Sequence, residues 1–133
     1  MMELIPFNPV HLHGFTPHAR QANADLSGVW FDGVGVTLMD GDDVVAAGGL
    51  IPIWSGRVLA WAIIGKGASM LAVTRAAIKF LRRFQELPRI EATIDLTFPE
   101  AIRWIELLGF QREGTMRKCG PNGEDFAMYS RVN

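Results

Sequence analysis

Gly65-Lys66-Gly67-Ala68-Ser69 is the stretch whose residue types and spacing speak most directly to chemistry. It follows an apolar run, Val58 to Ile64, and precedes a stretch with helical periodicity. A strand that feeds a helix through glycines leaves backbone N–H groups without partners at the helix start. With the helix dipole they form a seat for an anion such as phosphate. The N–H groups from Gly67 to Met70 are the expected donors, so backbone path matters more there than side-chain identity. The segment has neither the Walker spacing nor that of a dinucleotide fingerprint; alone it reads as a plain strand-to-helix turn, and a pyrophosphate site stands beside that reading only with the surrounding element order. Alternation places Glu91, Thr93 and Asp95 on one strand face. A carboxylate there could act as a general base, directly or through water, or be a solvated surface charge. His11, His13 and His18 have no cysteine nearby, a poor zinc pattern, so no metal is expected. Cys119 lies beside a hairpin turn with no histidine close in sequence, and reads as an inert thiol rather than a nucleophile. Trp30 and Phe31 either shape a substrate pocket or cover the sheet.

The elements that must position these groups can be read in order. Met2 to Phe7 is a short strand stopped by prolines. His11 to Asp25 is expected to hold one or two short helices, with Thr16 as a cap and Pro17 just inside. Gly28 to Asp32 is a loop. Val34 to Met39, Val44 to Trp54 and the strand from Arg57 form an antiparallel meander, turned at Asp40-Gly41-Asp42-Asp43 and Ser55-Gly56. Gly48-Gly49 is read as a bulge. Ser69 caps a helix with Val73, Ala77, Phe80, Leu81 and Phe84 on one face. Pro88 ends it, and Arg89 to Asp95 alternates as a strand. Thr97-Phe98-Pro99-Glu100 reads as a capping box for a helix to Leu108, which Gly109 terminates. Phe110 to Cys119 and Glu124 to Val132 form a closing hairpin around Pro121-Asn122-Gly123. The strands before and after the long helix should run parallel and splay apart where they meet. A ligand then fits at the helix N-terminus, outside the strand's C-terminal end.

The totals bound the function classes. The 133 residues suffice for one domain, 1–133, with a real core. A net charge of −1 argues against a dedicated nucleic-acid binder. The charge is uneven: 6 acids against 1 base from Met1 to Gly56, and 8 against 12 from Arg57 on, so the halves carry −5 and +4. The basic half holds the anion-seat pattern. One cysteine forbids an internal disulfide, no signal pattern opens the chain, and no apolar run nears the ~20 residues of a membrane span. A soluble cytoplasmic protein without membrane partners is expected.

The element order and the segment Ala101-x-x-x-Ile105-x-x-x-Gly109-Phe110 resemble the GNAT acyltransferase superfamily. That family's second helix typically reads N-x-x-A-x-x-x-Y-x-x-x-G-F, and the resemblance covers essentially the whole chain. It implies an α/β (α+β) fold with a splayed mixed sheet of about six to seven strands, flanking helices and a C-terminal hairpin. It also implies acetyl-CoA or another acyl-CoA as donor, a small-molecule or peptide amine as acceptor, and no metal. Trp61, Ala62 and Ile63 lie where the family's strand bonds the pantetheine arm and acyl carbonyl. Gly65, Lys66, Gly67, Ala68, Ser69 and Met70 match its pyrophosphate loop. There are departures. The loop usually carries R/Q-x-x-G-x-G/A, and Ala62 fills the basic slot, leaving Lys66 as the nearby cation. Phe98 replaces the asparagine, and Ile105 replaces the tyrosine that often protonates the departing thiolate. Tyr129 on the last strand is the candidate substitute, or an ordinary strand residue. The pattern also resembles small GNAT-like proteins of bacteriophages, an internal virion protein among them. Two functions therefore stand: an N-acyltransferase, and a non-catalytic binding or virion-associated module. Edge strands leave a homodimer open. Whether the splay is open or filled by Trp61, Ile105 or Trp104 discriminates between the two.

Overall fold

The apolar run after Gly56 becomes the centre of a sheet that is continuous at one end and split at the other. A computed structural model describes residues 2–17 and 34–133. Its strands are β1 (Met2–Pro6), β2 (Val34–Asp40), β3 (Asp43–Trp54), β4 (Arg57–Ile64), β5 (Arg89–Asp95), β6 (Gln111–Met116) and β7 (Phe126–Val132). Helix α1 spans Met70–Arg82 and α2 spans Pro99–Leu107. Among the described residues the strands form one seven-stranded sheet in the order β1-β2-β3-β4-β5-β7-β6. Every pairing is antiparallel except β4–β5. That parallel pairing stops after Arg57↔Arg89, Val58↔Ile90 and Leu59↔Glu91, although β4 runs on to Ile64 and β5 to Asp95. The expected α+β architecture and splay are both present.

Both helices cover the same sheet face. Phe80 and Leu81 of α1, Ile105 of α2 and the following Leu108 pack with Leu50, Val58, Ile90 and Tyr129 in the main core. Each such apolar side chain, fully buried, contributes roughly 1.5–3 kcal/mol. Val73, lower on α1, joins Leu38 and Ala46 in a second cluster. On the opposite face Leu12, Ala47 and Ile63 form a third, with Phe7, Phe15 and Trp61 against it. Leu12 belongs to a 3-10 turn, Pro9–Leu12, capped by Asn8.

Helix ends follow local chemistry. Ser69 Oγ accepts from Ala72 N–H at 3.3 Å and starts α1 as expected. After α2, Gly109 takes φ +90°, which L side chains rarely adopt. Gly109 N–H donates to Glu106 O and Phe110 N–H to Ile105 O, a Schellman ending.

Several expectations need correction. Gly48-Gly49 is not a bulge: the register shifts lie opposite Leu38/Met39 and near Pro52/Trp54. Gly49 is there because of crowding, since a Cβ would stand 2.3 Å from Val34 O. The cap of α2 falls on Phe98, whose side chain makes no capping bond, rather than on a Thr97 capping box. Thr97 donates its N–H and Oγ1 to Asp95 Oδ1, which closes the turn leaving β5. The last hairpin is shorter than expected, because Lys118 N–H bonds Asp125 Oδ1 and Gly120 N–H bonds Glu124 O in a wide connection. Pro17 forms an isolated bridge with Gly65. His18, Trp30, Phe31 and the remainder of the expected short helices lie outside the described residues.

Candidate functional site

The split has an open end, where β4 turns into α1, and a closed end, where β4 and β5 still pair. At the open end the backbone of the turn is only partly committed. Gly65 N–H donates to Val45 O, Lys66 N–H to Thr16 O, and Ala68 N–H to Gly65 O. Ala72 N–H is taken by the Ser69 cap. Among the described residues the N–H groups of Gly67, Ser69, Met70 and Leu71 have no hydrogen-bond acceptor. The donor set is therefore Gly67, Ser69, Met70 and Leu71. Ala68, expected among the donors, is spent on closing the turn. Gly67 holds φ +76°, and a Cβ there would meet nothing within 4 Å. Lys66 is exposed beside it.

The surroundings differ in one respect from the basic environment expected. Gly65, Lys66, Gly67 and Ala68 share a cavity of about 520 Å³ with Asp40, Asp42 and Asp43 of the β2–β3 turn. The loop from the basic half thus sits against the acidic half, which opposes an anion as the amides attract it.

Along the split itself, strand alternation sorts the side chains. Ala60, Ala62 and Ile64 of β4 and Ala92 and Ile94 of β5 face the helices. Trp61 and Ile63 face the other way, where the Phe7 ring meets Trp61 edge-on at 4.9 Å. Gly65 N–H points to β3, so with period two the amides of Ala62 and Ile64 point toward the β5 side.

The closed end is clamped by charge. Arg57 Nε and Nη2 donate to Glu91 Oε2 and Oε1 at 2.5 and 3.0 Å. Arg89 Nε donates to the same Glu91 Oε2 at 2.5 Å, and its two outer nitrogens reach Glu113 at 2.8 and 2.5 Å. Ser130 Oγ donates to Glu113 Oε2 at 2.6 Å. Arg57 also stacks on Trp54, 4.6 Å from the ring. Glu91 is only 2% exposed, so the solvated-face reading of this strand does not hold for it. The Arg57 hydrogen bonds hold its carboxyl below the usual range against the opposing effect of burial, with Arg89 adding to the lowering. Glu113 is held down to about 2 by Arg89 and then Ser130. A general base works best near the operating pH, and Glu91 is shifted the wrong way.

The structure does not bring Glu91, Asp95 and Tyr129 together. Tyr129 is buried on the helix-facing side, and its hydroxyl donates to Glu106 Oε2 at 3.0 Å. Burial, then this bond, raises its pKa. Glu106 is on the side of α2 toward β7, whereas Trp104 is on the side toward α1, so the hydroxyl points away from the split. Asp95 is the candidate at the open end, with Oδ1 accepting from Thr97. Ile105 is 4% exposed and belongs to the core, as an isoleucine should. His11 is engaged with Thr37 Oγ1 at 2.7 Å, and Cys119 is exposed. Among the described residues no group of three or more histidine, cysteine or carboxylate side chains is placed to hold a metal ion. No helix among them is long and apolar enough to cross a membrane.

The sequence places Arg57 at the start of the expected cofactor-binding segment Arg57–Ser69 and gives no sign of its pairing with Glu91 beyond an arginine opening an otherwise apolar strand. The Trp104–Thr74 contact went unseen, since nothing local ties a residue on α2 to one on α1.

No protein-family model and no curated protein sequence matches this chain. Solved structures do. A mutant of the spermidine N-acetyltransferase SpeG from Vibrio cholerae superposes with TM-score 0.71 at 17% identity, covering 98% of this chain and 93% of that one. An N-acetyltransferase from Staphylococcus aureus gives TM-score 0.73 at 10% identity, covering 99% and 97%. A protein described as a probable acetyltransferase of the GNAT family, from Chromobacterium violaceum, gives 0.74 at 16%, covering 98% and 87%. The chain has the fold of the GNAT acetyltransferases, over nearly its whole described length.

Proposed function

We propose that this chain, a single GNAT-like domain over 1–133, is an acyl-CoA-dependent N-acyltransferase that moves an acetyl-sized group to an amine. One observation carries the reading. β4 and β5 part after three ladder pairs, and the gap ends at N–H groups of Gly67, Ser69, Met70 and Leu71 that no described group accepts. This is the donor chemistry that a pyrophosphate requires. Trp61, Ala62 and Ile63 line the pantetheine arm, while Gly65, Lys66, Gly67, Ala68, Ser69 and Met70 surround the phosphates. When bound, the cofactor supplies an acyl group already activated as a thioester. The β4 backbone along the gap orients the acyl carbonyl toward the acceptor. Asp95 receives the amine proton, directly or through water. Most of the rate comes from holding donor and acceptor together. The acceptor is a small-molecule or peptide amine, and the compartment is the cytoplasm.

A non-catalytic module of the same fold is the second reading. Ile105 in place of an acid, Ala62 in the basic slot, the Asp40–Asp43 turn beside the loop and Trp104, which bridges the split from α2 to Thr74 of α1, favour it. Calorimetry with acetyl-CoA separates the two. Micromolar binding, weakened about tenfold or more by Gly67→Ala, supports the enzyme. That substitution forces a side chain into a left-handed backbone conformation, costing about 1–2 kcal/mol, without a clash. No heat at millimolar cofactor leaves the module.

A further inference from the structure

Trp104 is the described side chain that belongs to both helix-side clusters. It packs against the buried residues of both, the main core with Val58, Ile90 and Ile105 and the second cluster of Leu38, Ala46 and Val73. The first cluster draws on β4 and β5 and the second on β2, β3 and α1, so an α2 side chain that packs against both and bonds α1 bridges the split on its helix-facing side. Nε1–H donates to Thr74 Oγ1 at 2.9 Å, one turn into α1, which fixes the ring between the helices. The helix-facing strand residues on the two sides of the split include the small Ala60, Ala62 and Ala92. The two sides of the split differ in polarity. Thr93 and Asp95 are on the side away from the helices, and the helix side is apolar. An amine enters from the polar side, so the alkyl tail of an acyl group can be accommodated only on the apolar side, where Trp104 stands.

Resting on the acyl-transfer reading, we propose that Trp104 sets the length of the acyl group, confining the donor to two or three carbons. Its indole occupies the volume that a longer tail needs, and the Thr74 hydrogen bond keeps it from swinging aside. Removing it leaves an apolar space of the order of the ~150 Å³ that admits benzene, enough for a tail of about six carbons.

The test is calorimetric binding of CoA, acetyl-CoA and hexanoyl-CoA to the wild type, Trp104→Phe and Trp104→Ala. Fold is checked by thermal melting and near-ultraviolet circular dichroism. In the wild type, acetyl-CoA should bind about tenfold or more tighter than hexanoyl-CoA, the scale on which a full pocket rejects extra methylenes. Trp104→Ala should erase that preference while leaving free CoA binding unchanged. Trp104→Phe keeps the core filled and should narrow the preference, as should Thr74→Val, so a poorly folded alanine variant does not remove the test. Equal binding of the two thioesters by the wild type overturns the role of Trp104 and leaves the cofactor reading standing. So does a preference that survives in Trp104→Phe and Thr74→Val. Failure of CoA itself to bind overturns both.

Discussion

The two ends of the β4–β5 split are held by opposite means. At the closed end every strong group is matched: three ladder pairs are overlaid by Arg57, Glu91, Arg89, Glu113 and Ser130, chained by hydrogen bonds. At the open end, four backbone N–H groups have no acceptor among the described residues. A charge cluster that satisfies its members gives definite geometry, whereas unmatched donors at a helix start can take a ligand. The difference separates what holds the fold from what can do chemistry. Both ends contain residues that a sequence reader marks as functional, and only matching in space tells them apart.

The largest effect should come from acid. Glu91 and Glu113 have carboxyl pKa values lowered in the folded state from the ordinary 4.5, Glu113 to about 2. A lowered folded value stabilises the protein above the unfolded pKa, and the gain is lost as pH falls through the folded value. Melting temperature should therefore fall steeply between pH 4.5 and 2. Glu113→Gln should flatten that slope; an unchanged slope would remove the clamp as its origin. Next is Glu91→Ala, which leaves two arginines facing an emptied site. Because both arginines are partly solvated, the loss should be about 2–3 kcal/mol in urea unfolding, short of a fully buried pair. A loss near zero would mean that the ladder alone joins the halves. Gly67→Ala at the open end should invert the pattern, with a modest loss of stability and a large loss of cofactor binding. Smallest is Tyr129→Phe, at about 1 kcal/mol for one hydroxyl bond to Glu106. Its cofactor binding and acyl transfer should match wild type; a large loss of turnover would restore Tyr129 as the proton donor.

Much of this fold was legible because its elements are set locally. The Ser69 cap, the α1 stripe, the Gly109 ending and the order of strands all depend on neighbours in sequence. So did the split, since two strands joined through a helix run parallel while the other pairings are antiparallel. What could not be read depends on distance in sequence. Glu91 looked like a surface carboxylate because Arg57 is 34 positions away. Ala68 looked like a free donor because its bond to Gly65 O depends on how tightly the turn closes. Asp40, Asp42 and Asp43 gave a clear hairpin signal, but nothing in their neighbourhood placed that hairpin beside Lys66. The glycine pair at Gly48-Gly49 shows the same limit: the sequence marks a special position, and only the carbonyl of Val34 says which kind.

The short parallel seam has a mechanical consequence. Each leaf of the sheet is knit by antiparallel ladders of five or more pairs, β1 to β4 on one side and β5 to β7 on the other, whereas the seam has three pairs. Thermal opening should thus begin at Leu59 and Glu91 and run toward Arg57, with both leaves intact. Amide protons along the seam should then exchange with deuterium ahead of those in the meander, and the width of the cleft becomes a hinge variable rather than a fixed dimension.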